Sequence, residues 1–154
     1  MKTAGTILFS LVLTLMLAAC GGVDDNQKIS LGTKSYQFTP STAITLPVTQ
    51  EQGFTLTESV ATAHDEIYII EDNIDLDALN ATLTASEQLD FTDLSTHTYF
   101  LIRDFYCDEY YELTGASYTA PTLTITLEHF LITGQACATV VVEPYLVFKA
   151  AKAP

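Results

Sequence analysis

The sequence predicts a β-rich α+β fold, in which an antiparallel sheet or a small barrel or sandwich carries one short packed helix. Apolar residues alternate with threonine in Phe54–Thr57 and Leu123–Leu127, a pattern typical of half-buried strands. A single helical stripe is formed by Leu76, Leu79 and Leu83, which recur at the spacing of an amphipathic helix. Strands therefore dominate, and one helix is expected to cover part of the sheet.

Three further segments are apolar on both faces, which predicts central strands covered by another layer. They are Ile67–Ile70, Tyr99–Ile102 and Val140–Val142. The expected cover is a helix over residues 75–84, with Asp75 as its N-cap and Asp77 in its first turn.

Turn-forming residues separate the predicted strands. We expect turns at Gly53, Thr114–Ser117 and Thr133–Gln135. Pro121 is expected to open a strand, where its missing N–H costs nothing. Pro144 predicts a bulge or an edge in the last strand.

The first residues have the parts of a bacterial export signal. Lys2 supplies a positive charge, and Ile7–Ala19 is an uncharged apolar stretch too short to span a bilayer. Leu17-Ala18-Ala19-Cys20 fits the lipobox, so the segment is identified as a bacterial lipoprotein signal. The alternative is an ordinary secretory signal whose cysteine is incidental. We expect residues 1–19 to be removed and Cys20 to carry the lipid.

A lipidated Cys20 predicts where the protein resides and how it is organised. Its diacylglycerol and N-acyl chains, palmitate among them, would anchor the protein to the membrane, because two or more chains hold stably. Gly21 stands where aspartate often signals retention in the inner membrane, so we expect an outer-membrane protein facing the periplasm. Residues 20–33 are expected to be a polar tether, and residues 34–154 a single β-rich domain.

The chain is strongly acidic, with 19 acidic residues, 6 basic residues and a formal net charge of −13. This charge argues against binding to nucleic acid and against a domain that lies flat on anionic lipid. Solubility and a cationic partner are the two explanations, of which solubility is the simpler.

The sequence has two cysteines in addition to Cys20. These two, Cys107 and Cys137, predict one disulfide in an exported protein. The alternative is a redox role, but the acidic neighbours Asp108 and Glu109 disfavour a reactive thiolate. We expect a structural disulfide between neighbouring strands, which would stabilise the fold by roughly 3–4 kcal/mol on the loop-entropy model.

A particular order of elements runs from about Glu66 to Lys149: strand, helix, a link into a second strand, hairpin, and a cysteine-containing last strand. The segments after the first strand are Leu76–Asn80, Leu89–Phe91, Tyr99–Ile102, Leu123–Thr126 and Pro144–Val147. This order resembles the C-terminal domain of the lipid-anchored subunit that stabilises a bacterial surface protease complex. The resemblance implies the fold alone. The Gly-Gly-Tyr with which that family begins its hairpin is replaced here by Cys107-Asp108-Glu109-Tyr110.

The sequence lacks the arrangements typical of a hydrolase. The histidines are His64, His97 and His129, and no Gly-x-Ser-x-Gly motif accompanies them. His64 is adjacent to Asp65, but neighbours along a strand point to opposite faces. No catalytic residue is predicted.

The acidic segment Glu71–Asp77 is rich in the oxygen ligands that a calcium ion needs. Against an EF-hand loop that begins at Asn73, Ala78 replaces the required glycine and Thr84 the required glutamate. We expect helix capping and solvation from these carboxylates, and neither a metal nor a cofactor.

Residues 105–112 are the most distinctive of the domain, because four aromatic and three acidic residues fall together there. Tyrosine offers rigid contact area, and acids add selectivity for a basic partner. The alternative is an edge hairpin whose tyrosines cover the sheet and whose acids deter edge-to-edge pairing. The candidate partner surface comprises Tyr106, Asp108, Glu109, Tyr110 and Tyr111.

These observations predict a lipid-anchored periplasmic binding or accessory module that contacts a protein and is not an enzyme. A periplasmic hydrolase or a lipoprotein that binds a small ligand is the alternative. The hydrolase would need a cleft of convergent polar groups, and a small ligand would need a concave pocket.

Overall fold

The computed structural model describes residues 28–57, 67–103, 109–132 and 142–154. The elements are β1 (Lys28–Phe38), β2 (Ile44–Thr57), β3 (Ile67–Ile70), α1 (Asn73–Asn80), β4 (His97–Ile102), β5 (Glu109–Thr119), β6 (Thr122–Ile132) and β7 (Val142–Lys152). One sheet has the order β1-β6-β5 and the other the order β2-β7-β4-β3, with antiparallel pairing throughout. The predicted β-rich α+β class is confirmed, in the form of a sandwich with one short helix.

The main core lies between the two sheets. Phe38 of β1 and Ile125 of β6 share this core with Phe100 of β4 and Phe148 of β7, and all four are buried. The rings of Phe38 and Phe100 meet edge to face with their centroids 5.0 Å apart. Such aromatic contacts stabilise a core beyond the area they bury.

A second core covers the other face of the four-stranded sheet. Leu76 and Leu79 of α1, with Leu83 and Leu94 of the connection that follows it, share a cluster with Leu101 of β4. The predicted cover is therefore confirmed. Leu83 is buried as the stripe predicts, although the helix ends before it.

The helix begins earlier than predicted, because Asp72 and not Asp75 is its N-cap. An Asp72 carboxylate oxygen accepts hydrogen bonds from the N–H groups of Ile74 at 2.8 Å and Asp75 at 3.1 Å. Asp75 lies in the first turn, where its carboxylate accepts the N–H of Glu71 at 2.8 Å. Two acids three residues apart both suit a cap, and the one nearer the end of β3 is used.

The helix also ends at Asn80, short of the predicted residue 84. The Asn80 amide donates to the carbonyl of Leu89 at 2.8 Å and accepts the N–H of Leu89 at 2.7 Å. This paired contact folds the following segment back onto the end of the helix.

Of the predicted central strands, the one over Tyr99–Ile102 has the expected position and the one over Ile67–Ile70 does not. β4 and β7 are flanked on both sides, whereas β3 lies at the edge of the described sheet. β3 is apolar on both faces because Ile69 packs on the core between the sheets and Ile70 packs on the helix side. These contacts bury Ile70 and partly bury Ile69, whereas Ile67 stays 39% exposed. Val140 and Val141 lie outside the described residues.

Two predicted turns are irregularities inside strands. The β2–β7 register shifts between Glu51 and Phe54, and the β5–β6 register shifts between Leu113 and Gly115. At Gly53, between the first pair, a Cβ atom would collide with the carbonyl oxygen of Tyr145. Glycine here marks a close backbone approach, which sequence alone does not distinguish from a turn.

The proline predictions fit the observed strands. Pro121 lies in the short turn between β5 and β6, just before β6 begins. Pro144 of β7 pairs with Thr55 of β2, and the ladder with β4 begins only at Leu146. Pro144 thus occupies an edge-like position. The predicted turn at Thr133–Gln135 lies outside the described residues.

The chain enters the sandwich earlier than the tether prediction implies. β1 begins at Lys28, which pairs with Ile132, so residues 28–33 belong to a strand. Strand pairing overrides their polar composition. The signal peptide, Cys20, Cys107 and Cys137 lie outside the described residues, and their predicted roles stay predictions. No helix in the described ranges is long and apolar enough to cross a bilayer.

Candidate functional site

The two tyrosines of the predicted partner surface lie on opposite faces of β5. Tyr110 is 46% exposed on the outer face, whereas Tyr111 is 3% exposed and faces the other sheet. The ring of Tyr111 stacks on His129 with centroids 4.5 Å apart. Because side chains alternate along a strand, adjacent tyrosines cannot share one face. The expectation of one surface containing both does not hold.

The remaining predicted residues lie at or beyond the start of β5. Glu109 is the first residue of the strand. Tyr106 and Asp108 lie outside the described residues. Of the predicted surface, the structure therefore places Tyr110 alone as an exposed aromatic side chain, and its neighbours come from other strands.

These neighbours complete a group that we call the β5 patch: Lys28, Tyr110, Glu112, Glu128 and Phe130. Lys28 Nζ lies 2.6 Å from a Glu112 carboxylate oxygen. The same ammonium lies 3.7 Å from the centroid of Phe130 and 5.0 Å from that of Tyr110. Tyr110 and Phe130 are cross-strand partners with centroids 6.5 Å apart. The patch thus combines an ion pair with two aromatic rings.

The patch contains a costly juxtaposition of like charges. Glu112 of β5 and Glu128 of β6 stand directly opposite each other. Carboxylates in such a pair repel, and a nearby cation relieves the repulsion. Lys28 contacts Glu112, and Ser30 Oγ donates to Glu128 at 2.9 Å. One ammonium and a hydroxyl face two carboxylates, which leaves this spot negative when all are ionised.

An apolar cleft separates β5 from β2, and we call it the edge cleft. It has a volume of about 510 Å³ and is lined by Leu46, Pro47, Val48, Leu113, Thr114, Gly115 and Ala116. The β2–β7 register shifts between Thr45 and Thr49, so the intervening residues leave the regular ladder. Leu46 is 46% exposed there. This cleft was not predicted, because it depends on two bulges in strands from different sheets.

A cluster of charged groups lies on the helix side of the four-stranded sheet. Lys149 Nζ lies 3.2 Å from a Glu51 carboxylate oxygen and 3.6 Å from an Asp93 oxygen, and the Tyr99 hydroxyl donates to Asp93 at 2.5 Å. Burial raises the pKa of Asp93, but the Tyr99 hydrogen bond and the charges of Lys149 and His97 outweigh it, so the pKa lies below its usual range. The cluster is an internally satisfied network.

His97 is the histidine that most closely approaches a catalytic arrangement. Its Nδ1 lies 2.9 Å from Thr96 Oγ1 and 3.1 Å from an Asp93 oxygen. A catalytic triad needs the acid and the nucleophile on different ring nitrogens. Here both oxygens meet the same nitrogen, so the geometry does not activate a nucleophile.

The other histidines and the acidic segment add no further site. His129 is buried against Tyr111, and His64 lies outside the described residues. Across the described ranges, no group of histidine, cysteine and acidic side chains is arranged to hold a metal ion. Glu71, within the acidic segment, instead accepts the N–H groups of Ser41 at 3.0 Å and Thr42 at 2.7 Å.

Comparison with known proteins supplies no assignment. No family model matches the chain, and neither a curated protein nor a solved structure matches it.

Proposed function

We propose that this protein is a lipid-anchored component of the bacterial envelope whose domain binds a protein partner and is not an enzyme. The observation that carries the proposal is the exposed Tyr110 within the β5 patch, on an edge strand and beside a cation and two carboxylates. Tyrosine on a flat surface is typical of the energetically dominant contacts in protein interfaces. Catalysis needs convergent polar groups in a cleft, and the mostly apolar lining of the edge cleft does not supply them.

The position of Lys28 supports a partner close to the membrane. Lys28 is both the first residue of β1 and a member of the β5 patch. If Cys20 carries lipid, residues 20–27 are the remaining tether, and a fully extended chain of that length reaches about 30 Å. The β5 patch would then lie within that distance of the bilayer surface. A membrane-associated envelope protein is the partner that best suits this position.

Separate substitution of the two tyrosines tests the binding proposal. We expect Tyr110→Ala to lower capture of the crosslinked partner about tenfold or more in intact cell envelopes, with the melting temperature unchanged. Tyr111→Ala should instead destabilise the fold by about 3 kcal/mol, since its ring is buried and stacked. Thr124→Ala, on the outer face of β6, is the control. Equal capture by the Tyr110 variant and the unaltered protein would refute the proposal.

Substitution of Cys20 tests the anchor independently. We expect Cys20→Ser to abolish lipid attachment and processing at this site, so that the protein no longer partitions with membranes in the processed form. Mass spectrometry of the N-terminal peptide and membrane fractionation are the measurements. Normal processing with undiminished membrane binding would show that Cys20 is not the anchor.

A further inference from the structure

We propose that the partner contributes an extended segment that adds as a new strand to the edge of β5 with which no described strand pairs. In this arrangement apolar side chains of the segment enter the edge cleft, and a basic side chain lies beside Glu112. The inference rests on the proposed function and specifies its mode of recognition and the chemistry of the partner.

The edge of β5 is open to such pairing in the described structure. Among the described strands β6 alone forms a ladder with β5, although β2 lies across the edge cleft. β2 is poorly suited to accept a strand, since it carries two register shifts and Pro47 has no N–H. β5 has neither proline nor lysine, and its charged residues are acidic. Of the two edges that border the cleft, β5 is the less protected.

The edge cleft suits the side chains of an added strand. Alternate residues of that strand would point inward, towards Leu113 and Ala116 of β5 and Leu46 of β2. Its volume of about 510 Å³ leaves room for apolar side chains of the segment. A Cβ atom built on Gly115 meets nothing within 4 Å, which shows how much room remains beside the strand. Backbone pairing would give affinity, and the apolar pockets would give selectivity.

The negative charge of the β5 patch indicates that the partner segment carries a positive charge. The outward residues of an added strand would be neighbours of Tyr110 and Glu112. Glu112 and Glu128 face each other, and in the described structure Lys28 contacts Glu112 while Glu128 accepts a hydrogen bond from Ser30. A lysine or arginine of the segment would offset the remaining negative charge.

A second copy of this protein does not fit the same requirements. Each chain carries a net charge of −13, so self-association would bring two strongly acidic molecules together. Pairing β5 with its copy would also add carboxylates to the face that already carries Glu112 and Glu128. The chemistry therefore favours a basic, alternately apolar segment of a different protein.

The test uses the full mature protein in detergent and an eight-residue peptide of alternating valine and lysine, blocked at both ends and fluorescently labelled. We expect saturable binding by anisotropy, with slower amide hydrogen exchange in residues 113–119. A peptide of the same charge, with N-methyl groups on alternate backbone nitrogens, should bind at least tenfold more weakly. Equal binding of the two peptides would show that charge alone holds them and would overturn the proposal.

Matched variants of the protein test the cleft and the charge. Leu46→Ser should weaken binding about fivefold or more. Leu31→Ser, which alters another exposed leucine that does not line the edge cleft, should leave it unchanged. Glu112→Gln should weaken binding and reduce its dependence on salt. Equal effects of the two leucine substitutions, or none from either, would overturn the proposal.

The remaining outcomes separate the two proposals. Tyr110→Ala could abolish partner capture while Leu46→Ser binds the peptide as tightly as the unaltered protein does and the N-methylated peptide binds as tightly as the unmethylated one. In that case the binding function stands and strand addition is wrong. If sedimentation shows a dimer that Leu46→Ser dissociates, the occupant is a second copy and the proposal of a basic partner fails. If Tyr110 variants capture the partner normally, the proposed function itself fails.

Discussion

The two sheets of the sandwich differ in how many of their faces are covered. The four-stranded sheet is packed on both sides, so Thr98–Ile102 of β4 are buried without interruption. Among the residues that the structure describes, the three-stranded sheet is covered on one side only, and its strand β6 alternates between buried apolar residues and partly exposed threonines. The four-stranded sheet therefore packs against another layer on each of its faces. The three-stranded sheet has a face whose residues are available to contact other molecules.

The outer face of the three-stranded sheet itself changes character along its length. Its middle presents hydroxyl groups, as in the contact of 3.2 Å between Ser35 Oγ and Thr126 Oγ1. Near the start of β5 these give way to Tyr110 and the charged groups of the β5 patch. The interior of both sheets therefore holds the buried core, while the exposed Tyr110 and its charged neighbours lie at one end of this outer face.

The largest expected effect is at the centre of the four-stranded sheet. Phe100→Ala removes a fully buried ring that contacts Phe38, and we expect a loss of about 3–5 kcal/mol in the free energy of unfolding. Thr124→Ala, on the outer face of β6, should change it by less than about 1 kcal/mol. Urea unfolding measures both. Similar losses would mean that the two sheets are not distinguished as described.

The helix layer should contribute a smaller amount that depends on its cap. Asp72→Ala removes the acceptor for the N–H groups of Ile74 and Asp75, and we expect a loss of about 1 kcal/mol. Asp77→Ala, an exposed residue of the same helix, is the matched control. If both cost the same, charge and not capping accounts for the effect.

The sequence predicts this fold where a local pattern decides it. The alternation in Leu123–Leu127 identifies β6, and the Leu76–Leu79 stripe identifies the helix that covers the sheet. Local patterns fail where the cause is distant. The sequence of β3 predicts a central strand because both of its faces pack on other layers. Gly53 predicts a turn because the residue that approaches it, Tyr145, is distant in the sequence and leaves no local signal.

The candidate site was predictable to a smaller extent. The aromatic and acidic composition identifies Tyr110, but the period-two alternation of a strand was needed to separate it from Tyr111. The polar composition of residues 20–33 predicts that Lys28 belongs to the tether. Pairing between β1 and β6, which the composition does not reveal, instead brings Lys28 next to Glu112 across the sheet. The edge cleft depends on bulges, for which the sequence has no dependable signal.

A buried hydroxyl inside the four-stranded sheet provides a substitution that should stabilise the protein, whereas the substitutions above should destabilise it. Thr98 is fully buried opposite Ala150, and among the described residues its Oγ1 has no hydrogen-bond partner. Burying an unpaired hydroxyl is unfavourable, so Thr98→Val should stabilise the protein by up to about 1 kcal/mol. Thr124→Val on the outer face is the control and should be close to neutral. Destabilisation by Thr98→Val would show that the hydroxyl is paired in solution.

The smallest expected effect concerns acid, at the contact between Glu71 and the turn that joins β1 to β2. Burial raises the pKa of Glu71, but hydrogen bonds from Ser41 and Thr42 outweigh it and hold the pKa below the ordinary value of 4.5. A carboxyl whose pKa is lowered by folding stabilises the protein above its unfolded pKa, and this contribution is lost as the pH falls through the folded pKa.

The unaltered protein should therefore melt at a higher temperature than Glu71→Gln at pH 7, and the difference should shrink as the pH falls below about 4.5. The difference should be modest, because solvent screens a partly exposed carboxylate. Lys152 also holds this segment, since its ammonium donates to the Glu71 carbonyl at 2.6 Å. Melting curves from pH 7 to pH 3 measure the effect, with Asp77→Asn as the control. A difference that widened on acidification would show that the ionised form of Glu71 is not the one that stabilises this contact between the sandwich and the helix layer.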